Sequence, residues 1–147
     1  MFSASSSPLS AYGWDGEFER AFAPYRESGL VPARVAAVDR GHCDVITEAG
    51  PTRAATAPPA AHGPDQAPCT GDWAALRTGG RPALVALLPR RTAIVRAVAS
   101  GESRGQVLAA NVDTVAVTVS LAEPIDLGRV ERLLALAWES GARPVSC

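Results

Sequence analysis

Arginine is the residue type in this sequence whose placement suggests chemistry. The fourteen basic residues are all Arg, and between Leu30 and Arg104 nine of them stand against six Asp and Glu. A guanidinium binds phosphate bidentately, so Arg-rich stretches suit a nucleic-acid backbone. Arg34 and Arg40 fall around a predicted hairpin, Arg90 and Arg91 at a turn set by Pro89, and Arg96 on a predicted strand. These five are the candidate RNA contacts. Adjacent residues on a strand point to opposite faces, whereas at a turn both Arg90 and Arg91 can face outward. For any single Arg an ordinary solvated surface is the better explanation, and a GC-rich codon bias explains the lack of Lys.

Other chemistries are poorly supplied. Only two histidines occur, His42 and His62, and the three cysteines at 43, 69 and 147 contain no C-x-x-C pair. His42 and Cys43 are neighbours on a predicted strand and so point apart, and His62 with Cys69 makes only two ligands. No catalytic residues and no metal ligands are assigned. There is no G-x-S-x-G elbow, and without Lys there is no phosphate loop of the G-x-x-x-x-G-K-[ST] type. Net charge is −1, hydrophobic residues make up 47% and charged residues 20%, the balance of a globular chain without a global pull toward polyanions. No run reaches membrane-spanning length and no signal peptide opens the chain, so a cytoplasmic location with reduced thiols and no membrane contact is expected.

These residues need elements to hold them. Met1 to Ser10 is Ser-rich and expected to be disordered. Trp14, Phe18 and Phe22 recur four apart, on one face of a short helix that Pro24 should end, and that face should dock on the domain C-terminal to it. From Leu30 the period falls toward two. A strand to Asp39, a turn at Arg40-Gly41 and a return from His42 to Glu48 read as a hairpin. An edge strand near Thr52–Ala55 precedes a Pro-rich loop through Pro58-Pro59. Further strands are expected at Asp72–Arg77, Pro82–Leu88 and Ala93–Val98, although Ala74 and Ala75 weaken the first. Ser100–Gly105 reads as a linker. Short strands joined by turns suggest a small barrel of the oligonucleotide-binding (OB) type. Trp73 is its only aromatic residue, which favours backbone or shape contact over base stacking. Val112 to Leu121 then reads as a strand buried on both faces. A helix capped by Asp126 comes next, carrying Leu127, Val130, Leu133, Leu134 and Ala137 on one face.

Four segments in order, PCTGDWAALR, LLPRRTAIVR, GQVLAANVDTVAVTVSL and DLGRVERLLALAWESGARPV, resemble the ribosome small-subunit-dependent GTPase A family (RsgA, also called YjeQ or EngC). The pattern Arg91-Thr92, Arg96, Gln106 and Ala110-Asn111-x-Asp113 carries the likeness, together with the ERLLALAWESGA helix. The resemblance implies an OB barrel that contacts ribosomal RNA, and after it the opening strand and helix of a circularly permuted GTPase domain. Small-subunit maturation is the implied process, and the small ribosomal subunit the implied partner. GTP, Mg²⁺ and zinc belong to the full-length family. After Pro144-Val145 the family pattern continues into an apolar strand and T-K-x-D, whereas this sequence reads Ser146-Cys147.

The expected fold is therefore mainly β: an OB-type β-barrel with an N-terminal helix, then an orphan β–α unit that begins a truncated α/β GTPase domain. The expected divisions are a 1–28 extension with the short helix, a 29–105 barrel and a 106–147 strand and helix. The expected function is that of an N-terminal fragment of a ribosome biogenesis GTPase, with no cofactor in this chain and no hydrolysis by it. The alternatives are a stand-alone protein-interaction module and a generic oligonucleotide-binding barrel.

Overall fold

A computed structural model describes residues 7–56, 67–96 and 105–146. The chain forms two compact units, Met1–Pro89 and Arg90–Cys147. The division falls ahead of the expected boundary at 105.

The first unit opens with a 3-10 turn, Pro8–Tyr12, in the stretch expected to be disordered; residues 1–6 of that stretch lie outside the described residues. Helix α1 comes next (Gly16–Glu27), capped by the Asp15 carboxylate, which accepts from the N–H groups of Glu17 and Phe18. Pro24 lies inside α1 rather than ending it. The lost N–H bond is outweighed by aromatic anchoring on both sides of it: Phe22 is fully buried and Tyr25 packs on the same cluster.

Strands β1 (Val31–Asp39), β2 (His42–Thr47), β3 (Gly50–Ala55), β4 (Trp73–Arg77) and β5 (Ala83–Leu87) close into a barrel of order β1-β2-β3-β5-β4. Every pairing is antiparallel except β3 with β5, which meet through the pair Ala55–Ala83. Alternation sorts the side chains. Ala33, Val35, Cys43, Val45, Ala54, Ala74, Leu76 and Leu84 fill the interior. Trp73, Ala75 and Leu88 face outward and are covered by Leu9, Trp14, Phe18 and Phe22. Strand β4 is thus buried on both faces, and this explains its Ala residues: weak strand formers by propensity, they leave room for the interior on one side and for α1 on the other. Trp14 meets Trp73 edge to face, with centroids 4.8 Å apart.

In the second unit, β6 (Ala93–Arg96) pairs antiparallel with β7 (Gln106–Ala110) and not with the barrel. The long strand expected from Val112 is shorter: Asn111 takes φ +53°, and β8 begins at Thr114 and ends at Val117. Helix α2 (Leu127–Glu139) starts at Asp126, whose carboxylate accepts from the N–H of Arg129. Strand β9 (Arg143–Ser146) returns parallel to β8. The expected orphan β–α unit is therefore a β–α–β unit, closed by the last described residues.

Candidate nucleic-acid interface

Two barrel loops carry exposed Arg residues and leave from one end. The turn Arg40-Gly41 joins β1 to β2; Gly41 adopts φ +72°, which suits glycine there. The loop after Arg77 runs Thr78-Gly79-Gly80-Arg81-Pro82, with Gly80 at φ +77°. Strand register links the two: Asp39 pairs with His42, His42 with Ala55, Ala55 with Ala83, and Ala83 with Arg77. The end of β3 ties them directly. Ala55 N–H donates to the Pro82 carbonyl at 2.9 Å, and Thr56 N–H donates to the Gly41 carbonyl at 3.0 Å. Arg40, Arg77 and Arg81 thus share one rim, and all three are exposed. Arg77 and Arg81 were not among the candidates. The signal was present as R-T-G-G-R, a glycine turn flanked by two guanidinium groups.

Arg53 completes the rim from β3. Its Nη2 donates to Asp39 Oδ2 at 2.9 Å and its Nη1 to Asp44 Oδ1 at 3.1 Å. Asp39 Oδ1 also accepts from Arg40 N–H at 2.7 Å. That backbone bond first, and Arg53 second, hold the Asp39 carboxyl below its ordinary range.

The five predicted residues are divided between the two units. Arg40 is on the rim. Arg34 lies on β1 in register with Trp73, on the barrel face that α1 covers. Its Nη1 donates to the Tyr12 carbonyl at 3.1 Å and its Cζ sits 5.0 Å from the Trp73 ring centroid. Arg90, Arg91 and Arg96 belong to the second unit. Arg96 is exposed on β6. The Arg91 segment is pinned by its backbone: Arg91 N–H donates to Asn111 Oδ1 at 2.9 Å, Asn111 N–H to the Thr92 carbonyl at 2.9 Å, and the Thr92 hydroxyl to the Val112 carbonyl at 2.8 Å. The motif Arg91-Thr92 with Asn111 is thus a structural clamp.

His42 and Cys43 diverge as strand neighbours should. Cys43 is fully buried, and burial pushes its thiol up to about 11, so it is a poor nucleophile or ligand. Among the described residues no group of three or more His, Cys, Asp or Glu is placed to hold a metal. Among them also no helix is long and apolar enough to cross a membrane. His62, Arg104 and the linker up to residue 104 lie outside the described residues.

The described residues form a closed five-stranded barrel with an N-terminal helix, and a β–α–β unit lies in the second unit. The chain superposes on YjeQ from Thermotoga maritima with a TM-score of 0.57 at 18% identity, over 80% of this chain and 40% of that one. It superposes on YloQ, described as a circularly permuted GTPase, with a TM-score of 0.56 at 14% identity and the same shares. These likenesses establish the OB-type fold. No family model matches the chain. Two proteins named small ribosomal subunit biogenesis GTPase RsgA supply the sequence relationship. That of Streptomyces avermitilis is 57% identical over 98% of this chain and 39% of its own length. That of Streptomyces coelicolor is 56% identical over 97% and 39%. The chain is similar to these RsgA proteins over the portion it spans, about two fifths of their length.

Proposed function

We propose that this chain is the RNA-facing portion of a small-subunit biogenesis GTPase, and that its barrel docks on ribosomal RNA of the small subunit through the rim of Arg40, Arg77 and Arg81. The observation that carries the reading is the joining of two Arg-bearing loops by consecutive residues of β3, Ala55 and Thr56. In OB-type barrels these two loops and the β2–β3 face are the usual oligonucleotide surface. Among the described residues the rim offers three guanidinium groups and no exposed Phe, Tyr or Trp, with His42 its one exposed ring, so it suits phosphates more than stacked bases. Arg90, Arg91 and Arg96 form a second basic set in the second unit and are proposed as additional backbone contacts. Arg34 is assigned to holding the N-terminal segment.

Catalysis is not assigned to these 147 residues. A guanine nucleotide needs a phosphate loop and a base-reading Asp at a strand end, and the sequence contains no G-x-x-x-x-G-K-[ST]. Titration calorimetry of the chain with GTP should therefore show no saturable binding. A cytoplasmic setting goes with ribosome assembly and belongs to the same proposal.

Cosedimentation with purified small subunits over a salt series tests the docking. The chain should pellet with subunits at low salt and be released steeply as salt rises. Failure to pellet at low salt contradicts the proposal, as does retention that ignores salt. A protein-interaction role finds support in one observation, the exposure of Leu127 and Trp138 on α2, at 69% and 70%. Saturable retention unaffected by salt and by RNase would favour it.

A further inference from the structure

Within a rim of Arg residues, two carboxylates occupy the donor edge of one guanidinium. We propose that the Asp39–Arg53–Asp44 triplet is an autoinhibitory contact: the carboxylates hold the terminal nitrogens of Arg53 that would otherwise take a backbone phosphate, and RNA binds by displacing them. The inference rests on the rim being the RNA surface.

The geometry suits an exchange. Arg53 uses both terminal nitrogens on Asp39 and Asp44, at 2.9 and 3.1 Å, so its fork is occupied while the pairs persist. All three side chains are more than half exposed, and exposed pairs of this kind are weak enough to be exchanged. The competing ligand is chemically alike: a phosphate presents two oxygens to the same fork. The location is also right. Asp39 borders Arg40, and Arg53 lies two residues before Ala55, where both Arg-bearing loops are tied to β3. A single phosphate brings one interaction in place of two, whereas phosphates arriving as an array engage Arg40 and Arg81 at the same time. The triplet therefore favours a folded RNA backbone over isolated anions.

The test is fluorescence anisotropy of the full chain with a fluorescein-labelled RNA hairpin over a salt series. Asp44→Asn is the better probe, because Asp39 also orders the Arg40 turn. It should tighten binding about two- to fivefold, the range set by losing one exposed ion pair, and steepen the salt slope by up to about one unit. Arg53→Ala in the Asp44→Asn background should abolish the gain. No tightening in Asp44→Asn overturns the proposal, and so does a gain that persists without Arg53, since that is plain repulsion. Thermal melts of each variant, with Asp44→Ser as a second substitution, separate these outcomes from misfolding. Arg40→Ala/Arg81→Ala is run alongside. If that pair binds like wild type, the rim reading fails and this inference with it; if it binds more weakly while Asp44→Asn is unchanged, only the autoinhibition fails.

Discussion

The guanidinium of Arg34 lies over the indole of Trp73, with Cζ 5.0 Å from the ring centroid, while its Nη1 holds the carbonyl of Tyr12 at 3.1 Å. One side chain thereby joins β1, β4 and the segment leading into α1. Arg34→Ala should destabilise the first unit by about 1–2 kcal/mol, through the cation–π contact and one charge-assisted hydrogen bond. Chemical denaturation monitored by Trp fluorescence measures the loss. The RNA salt slope should stay unchanged in this variant; a fall of a full unit would return Arg34 to the binding surface.

The division at Pro89 implies that residues 1–89 fold alone, since the barrel pairing and both buried clusters lie within them. That fragment should show a cooperative melt and native Trp fluorescence. A further fragment starting at residue 29 should lose both, because Trp73 is fully buried beneath Trp14, Phe18 and Phe22. Removing such aromatic cover costs on the order of 3–5 kcal/mol per ring. A stably folded 29–89 fragment would show that the aromatic cover is dispensable.

Much of the barrel was legible because its strands alternate. In β1 and β2, Ala33, Val35, Cys43 and Val45 keep the period of two that one buried face imposes. The harder places were those where two demands fall on one residue. Ala74 and Ala75 read as poor strand formers because propensity does not register that β4 is squeezed from both sides. Pro24 reads as a stop because local rules do not weigh the anchoring of Phe22 and Tyr25. Val112–Leu121 reads as one strand because its composition is uniform, whereas Asn111 and the parallel partner β9 determine where β8 begins. The rim was half legible. Arg40 stood at a recognisable turn, but Arg77 and Arg81 become its neighbours only through closure of β3 on β5, a non-local fact that no short window contains.

Asn111 joins a left-handed backbone to a hydrogen-bonding side chain, two properties that different substitutions separate. Asn111→Gly keeps the φ of +53° but loses the acceptor for Arg91 N–H, and should cost about 1–2 kcal/mol. Asn111→Ala loses both and should cost more, by about another 1 kcal/mol. Urea midpoints of the two variants should fall in that order. Equal midpoints would show that backbone conformation contributes nothing there.

Glu19 accepts from Arg26 at 2.9 and 3.0 Å and from Trp14 Nε1 at 2.9 Å. The Arg26 bond, as the larger cause, holds the carboxyl below its ordinary 4.5. A depressed carboxyl stabilises the fold fully above its unfolded value and progressively less as pH falls through the folded one. The wild type should therefore lose more stability than Glu19→Gln as pH drops below about 4.5. Parallel pH dependences of the two melting temperatures would remove Glu19 from the acid response.

The central claim is that the barrel meets small-subunit RNA through the rim where β3 ties two loops together. Filter binding of the full chain to purified small subunits over a salt series, wild type against Arg40→Ala/Arg81→Ala, tests it most directly. Two lost phosphate contacts should weaken binding and lower the salt slope by about two units. Wild-type affinity with a wild-type slope in that variant would contradict the account.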